Sequence, residues 1–251
     1  MMDTSENMFW GDINDISRFT ENTHANKAKK ARQTSAILLA AIQLMENFIK
    51  GIKHMNAYDA ASTIISDANW IQKSTIDDFY DNTNKRIPIE LGNIYYIDYG
   101  KTFCGELSYF HYGLCIGKRD GKILIVPMRS GYDVFDKAYH PTNNPMGNRK
   151  YRQALTQEGF AKNSVLLIND TKYISAGRID KKSNMINNET LESIQLQVFQ
   201  VEFPNLFMDF NNVKKNNEKL VKQICDQKEL IIKLKNETNR CHQLLNNVKE
   251  K

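Results

Sequence analysis

The stretch Leu91–Ser130, LGNIYYIDYGKTFCGELSYFHYGLCIGKRDGKILIVPMRS, leaves the least freedom in how the chain folds. Gly92–Tyr99 alternates Ile94, Tyr96 or Ile97 with polar neighbours and is rich in β-formers, which predicts a strand. Gly100 ends it, and Lys101–Phe110 forms a polar loop carrying Cys104, Glu106 and Ser108. His111–Gly117 reads as a second strand. The Asp120-Gly121 pair then favours a tight hairpin. Lys122–Val126 is nearly all apolar, which predicts a third strand buried on both faces and stopped by Pro127. Met128-Arg129-Ser130 is left facing the first loop. A long loop between the first two strands, closed over the end of the third, is where a small barrel would carry a site.

Around this stretch the chain divides into four expected parts. Residues 1–26 are polar with few anchors and read as a poorly ordered arm. Residues 27–85 read as a helical hairpin. Its first helix, Lys27–Lys53, repeats Ile37, Leu38, Ala41, Leu44, Met45, Phe48 and Ile52 at three and four. Asn56 is placed to cap a second helix running through Tyr58, Ala61, Ile64 or Ile65, Ala68, Ile71, Ile76 and Phe79. Asp81–Arg86 and Pro88 close it. Residues 86–204 form the barrel domain. In it, Gly131–Gly147 is a long loop, Asn148–Leu155 holds a helical turn, Ser164–Ile168 and Lys172–Ile174 are strands, and Glu189–Glu202 is a helix broken by Pro204. Residues 205–251 lack Gly and Pro. Val213, Leu220, Gln227, Leu234, Cys241 and Val248 recur every seventh residue, and Asn217, Ile224, Ile231, Thr238 and Leu245 recur four places later. That heptad predicts one long helix pairing with another. The other reading packs it on its own N-terminal hairpin.

Composition narrows the function classes. At 251 residues the chain holds one large or two small domains. A net charge of +5 permits an anionic partner without requiring one. The four cysteines, Cys104, Cys115, Cys225 and Cys241, show no metal-ligand spacing, so no structural metal and no cofactor are expected. The N-terminus has no signal-peptide pattern, and Ala36–Leu44, the most apolar run, is too short to span a bilayer, so a cytoplasmic protein with no membrane partner is expected.

The central stretch resembles the MazF/PemK family of toxin endoribonucleases. The resemblance rests on Gly92-Asn93-Ile94, Gly105-Glu106, His111-Tyr112 and Pro127-Met128-Arg129-Ser130, and resumes at Ser164–Ile168, Lys172–Ile174 and Arg178-Ile179. It spans roughly Ile87–Val201. Two positions depart from the family pattern: His111 stands where the family has Arg, and Arg129 where it has Thr. The resemblance implies an α+β chain, a small SH3-like β-barrel flanked by the hairpin and the long helix. It also implies a toxin cleaving single-stranded RNA without metal, restrained by a cognate antitoxin of protein or RNA, with the barrels paired as a homodimer.

Such cleavage needs a base for the 2′-OH proton, a donor for the 5′-oxygen, and cations for the phosphate charge. His111 titrates near neutrality. Arg129 can hold two phosphate oxygens at once, and Ser130 can hydrogen-bond the phosphate. Glu106 is placed to orient His111 or act as base. His140, on the long loop, is a further candidate acid. Tyr109, Phe110, Tyr112 and Tyr132 suit base stacking, and Lys172 and Arg178 suit an RNA groove. Cys104 is a poor nucleophile candidate, because no helix follows it to lower its pKa. The rival class is a non-catalytic RNA- or partner-binding barrel dimerised by its coil. The two classes part on geometry: an enzyme brings His111, Arg129 and Ser130 together, whereas a binding module spreads them.

Overall fold

The structure, a computed structural model, describes residues 16–81, 83–103 and 105–249, and for 132, 133 and 241–249 the backbone alone. Cys104 therefore lies outside the described residues, as does most of the expected N-terminal arm. The chain splits into two compact units, Met1–Gln72 and Lys73–Lys251.

In the first unit the expected hairpin is present with different limits. Helix α1 is Ser35–Lys53 and α2 is Ala57–Lys73. The chain before α1 is not continuous helix. Thr23 caps a short turn of helix at His24–Ala28, and Lys29, Lys30 and Thr34 are extended. Lys27, Lys29, Lys30 and Arg32 explain this, since like charges three apart disfavour a helix. Asn56 caps α2 as the sequence predicts: its Oδ1 accepts from the Asp59 N–H at 2.9 Å and its amide donates to the Asp59 carboxylate at 2.6 Å. The helix stops at Lys73 rather than running to Phe79, because Ile76 and Phe79 belong to the second unit. Phe79 is buried against Tyr95, and the Ile76 carbonyl accepts from Ser175 Oγ. By length and composition α1 can cross a membrane. The apolar run continues past Leu44 through Met45, Phe48 and Ile49.

The second unit is a mixed α+β domain. Its strands are β1 (Asn93–Asp98), β2 (Phe110–Arg119), β3 (Lys122–Arg129), β4 (Ala138–Tyr139), β5 (Asn148–Ala154), β6 (Ser164–Leu167), β7 (Lys172–Ser175) and β8 (Ile179–Met185). They form one sheet in the order β4-β5-β6-β3-β2-β1-β8, with β7 also on β3. The path ends at β4 and β8 and does not close, so the expected barrel is replaced by an open sheet. Strand β3 is its pivot. Residues Lys122–Ile125 pair with β7, and Met128 and Arg129 pair with β6. Pro127 does not stop the strand, because it sits at this change of partner, where that edge needs no N–H from it. The hairpin at Asp120-Gly121 is as predicted, with φ of 49° and 72° at its two residues, as a twist-matched two-residue turn requires.

Both faces of β1–β3 are covered. On one, Ile94, Leu114, Val126 and Leu166 pack against Leu191, Ile194 and Val198 of helix α3 (Asn188–Glu202). On the other, Tyr95, Ile97, Cys115, Ile123, Ile125 and Ile174 form a second cluster. Burial pushes the Cys115 thiol up to about 11, so it is an inert core residue. Gly113 makes the close approach possible: a Cβ there would stand 2.4 Å from both Ile125 Cγ2 and Tyr99 Oη.

Two loop readings are overturned. Asn148–Ala154 is strand, not a helical turn, and the long loop after Ser130 carries a four-residue helical turn, β4 and a bridge between His140 and Asn144. Pro204 then opens helix α4 (Pro204–Lys249) at the position proline tolerates best. Phe199 packs on Phe203, Phe207 and Phe210 across the junction. The 46 residues of α4 run about 69 Å at the usual rise, and the described seam residues Val213, Leu220, Ile224, Ile231 and Leu234 are all exposed.

Candidate functional site

Antiparallel pairing builds the site. β1 and β2 are matched Tyr96 to Tyr112 and Asp98 to Phe110, so these side chains rise on one face. Tyr96 lies 5.5 Å from Phe110, stacked, and 4.9 Å from Tyr112, tilted. Lys181 of β8, opposite Tyr96, places its ammonium 4.8 Å from the Tyr96 ring centroid. β2 and β3 are matched Gly113 to Pro127. That ladder ends there: Met128 and Arg129 pair with β6, and His111 pairs with Ile97 of β1. Beyond it lie the start of β2 and the end of β3. There a groove of about 380 Å³ is lined by Tyr96, Phe110, His111, Tyr112, Arg129 and Ser130, together with Lys162, Ser164 and Asn184.

His111 is half-buried, whereas Arg129 and Ser130 are exposed. Burial first, and then the Arg129 charge, pull the His111 imidazole below its ordinary value, against a hydrogen bond to the Ser108 backbone that raises it. The imidazole is therefore neutral near pH 7, as a base must be, and it lies within the field of a guanidinium.

The other expected site residues separate from this groove. Glu106 lines a neighbouring cavity of about 190 Å³ with Asp170 and Tyr151, and Arg129 borders both spaces. Burial raises the Asp170 carboxyl; Lys172 opposes the rise and Glu106 adds to it. Tyr109 closes the neck of the β1–β2 loop. Its N–H donates to the Gly100 carbonyl, its carbonyl accepts from the Tyr99 N–H, both at 2.8 Å, and its φ is 62°. Lys172 lies over the Tyr99 ring at 5.5 Å. Arg178 donates to the Asp98 carbonyl at 3.0 Å and so pins the end of β1. The Tyr132 side chain lies outside the described residues.

His140 is internal, 3% exposed, and joins a polar network. Its Nδ1 lies 3.2 and 3.1 Å from the backbone N–H groups of Thr142 and Asn143, which donate to it, so the neutral ring carries its proton on Nε2. That nitrogen lies 3.3 Å from Glu158, at ion-pair range but not aligned as a hydrogen bond. Arg152, 1% exposed, donates to the same Glu158 oxygen at 2.9 Å and to Ser193 Oγ at 3.0 Å. His140 therefore ties β5 to its neighbours and is remote from the groove chemistry.

Sequence reasoning found Phe110 but missed Tyr96, Lys162 and Lys181 as site residues. The signal for Tyr96 was available, since pairing the two strands through a loop from Gly100 to Tyr109 sets aromatic against aromatic. Lys162 and Lys181 come from segments whose place depends on long-range pairing. No protein-family model matches the chain, and no curated protein matches it.

Proposed function

We propose that the second unit is a MazF/PemK-like endoribonuclease, a toxin-type enzyme cleaving single-stranded RNA at the groove between β2 and β3. The observation that carries this reading is that His111, Arg129 and Ser130 line one groove with Tyr96, Phe110 and Tyr112. Neutral His111 takes the 2′-OH proton. The oxygen attacks phosphorus, the 5′-oxygen leaves, and the products are a 2′,3′-cyclic phosphate and a 5′-OH. Arg129 holds the phosphate oxygens as negative charge grows, and Ser130 adds a neutral donor. Lys162 carries a proton that can pass to the leaving oxygen. Tyr96, Phe110 and Tyr112 give splayed bases a stacking wall. An antitoxin of either chemistry would act by occupying this groove.

A non-catalytic module dimerised by α4 is the second reading, and the exposed heptad seam favours it. One experiment separates the two. Purified full-length chain is incubated with a long RNA in EDTA and the cut ends are mapped, beside the His111→Ala variant. Cleavage with cyclic-phosphate ends that His111→Ala loses supports the enzyme. RNA retention without any cut in the wild type assigns the binding module.

A further inference from the structure

Helix α2 is turned inside out for a chain surrounded by water. Its polar side, Asp59, Ser62, Thr63, Ser66 and Asp67, is buried or half-buried, whereas Ala61, Ile64, Ile65, Ala68 and Ile71 are exposed. Ile64 is 51% and Ile71 72% exposed. α1 adds a stripe at three- and four-residue spacing, Leu38, Ile42, Met45 and Ile49, also exposed. Inward polar and outward apolar faces are the arrangement expected where the surroundings are hydrocarbon.

We propose that the α1–α2 hairpin seats on an anionic lipid bilayer, its apolar faces in the acyl region and its cations among the headgroups. Three observations name the occupant. First, between Lys27 and Lys53 stand six cations, Lys27, Lys29, Lys30, Arg32, Lys50 and Lys53, against the single carboxylate Glu46. A second copy would bring like charge against like, whereas an anionic surface complements it. Second, Tyr58 and Trp70, one near each end of α2, are 63% and 67% exposed, which suits side chains at the boundary between headgroup and hydrocarbon. Third, the polar sector of α1, Glu46, Asn47, Lys50 and Lys53, is exposed beside its apolar stripe. That sector decides the orientation. Although α1 is long and apolar enough to cross, Glu46 would then lie about 16 Å along it, near mid-membrane, where a charge is expensive. The helices therefore lie in the plane of the interface. This departs from the sequence expectation of no membrane partner, and it leaves the groove in the second unit to RNA.

The test is flotation of the full-length chain with phosphatidylcholine vesicles, with and without phosphatidylglycerol. Trp70 emission is read alongside in a Trp10→Phe background. The wild type is expected to float with the anionic vesicles, with a blue-shifted Trp70. Ile64→Asp combined with Ile71→Asp lowers the bound fraction about a hundredfold or more, since two buried isoleucines are lost. Met45→Asp is a second, independent variant on α1, and circular dichroism confirms that each variant is folded. The proposal is overturned if the wild type stays with neither vesicle, or if the aspartate variants float as it does. It is also overturned if these variants instead convert a dimer to a monomer by sedimentation, which assigns the face to a second copy. RNA cleavage assayed without vesicles reports separately on the groove.

Discussion

Replacing Glu158 by Gln should cost the second unit more stability than any surface change. The carboxylate serves two buried donors at once. Oε1 accepts from Arg152 at 2.9 Å, and Oε2 accepts from the Leu155 N–H at 3.1 Å. A Gln side chain has one oxygen, so either the guanidinium or the N–H faces an NH2 group and goes unpaired. With Arg152 1% exposed, the larger loss is a buried cation without its counter-charge. Breaking such a pair costs about 3–5 kcal/mol. For a domain of this size that is a fall in Tm of about 6–20 °C. The assay is thermal unfolding by circular dichroism of wild type, Glu158→Gln, Arg152→Met and the double variant. Removing both partners together leaves no orphaned charge, so the double variant should recover much of the loss, giving a strong coupling in the cycle. A single-variant fall under about 2 °C, or a double variant as unstable as the sum of the singles, would refute the reasoning.

The remaining expectations concern the groove and the long helix. If His111 is the base, kcat/KM should fall as pH drops through a value below the ordinary histidine range, because burial and Arg129 favour the neutral form; Arg129→Ala should move that limb upward, and a limb unmoved by the substitution would separate the two residues. Arg129→Lys should lower cleavage by about 100–1,000-fold, the usual effect of losing one preorganised donor, with Ser130→Ala milder; a silent Arg129→Lys would make Arg129 a surface cation. Ending the chain at Pro204 should reduce the sedimentation mass from dimer toward monomer, because the α4 seam is exposed and its polar Asn217, Gln227 and Thr238 permit only weak pairing; equal association states for the two chains would count against a coil between copies.

What was legible in the sequence was local. The strands β1 and β2, the Asp120-Gly121 turn, the Asn56 cap and the break at Pro204 each depend on a few neighbouring residues, and each stands where the sequence places it. What was not legible depends on partners far along the chain. Asn148–Ala154 hides its strand because Arg152 occupies a core position, which is tolerable only with Glu158 and Ser193 beside it. Pro127 hides the last residues of β3 because its fitness depends on where β7 gives way to β6. Strand β8 carries a polar run and is held by its pairing with β1 rather than by an apolar face. The site divides the same way. His111, Arg129, Ser130 and Tyr112 were found from one stretch and line one groove, whereas Lys162 comes from the bend before β6 and Lys181 from β8. Glu106 was close in sequence to His111, yet the loop carries it to the next cavity.

On the proposed MazF/PemK-like reading, the two departures from that family's pattern become one exchange between β2 and β3. His111 and Arg129 line one groove, and the Arg129 charge acts on the His111 imidazole, so on the proposed reading the guanidinium missing from β2 is supplied from the end of β3. On that reading the exchange would keep a planar cation beside the phosphate and free the β2 position for a group that titrates. The reading predicts that the double variant His111→Arg with Arg129→Thr retains measurable cleavage, because it restores one guanidinium and one hydroxyl to the same two places. His111→Arg alone should be worse than the double, since two guanidinium groups would then crowd one groove without a base between them. The signature that separates repair from mere tolerance is the pH profile. The double variant should lose the acid limb that His111 gives the wild type, since no group near neutrality remains at the pair. A double variant less active than both single variants, or one that keeps the wild-type limb, would show that the two positions do not share a task.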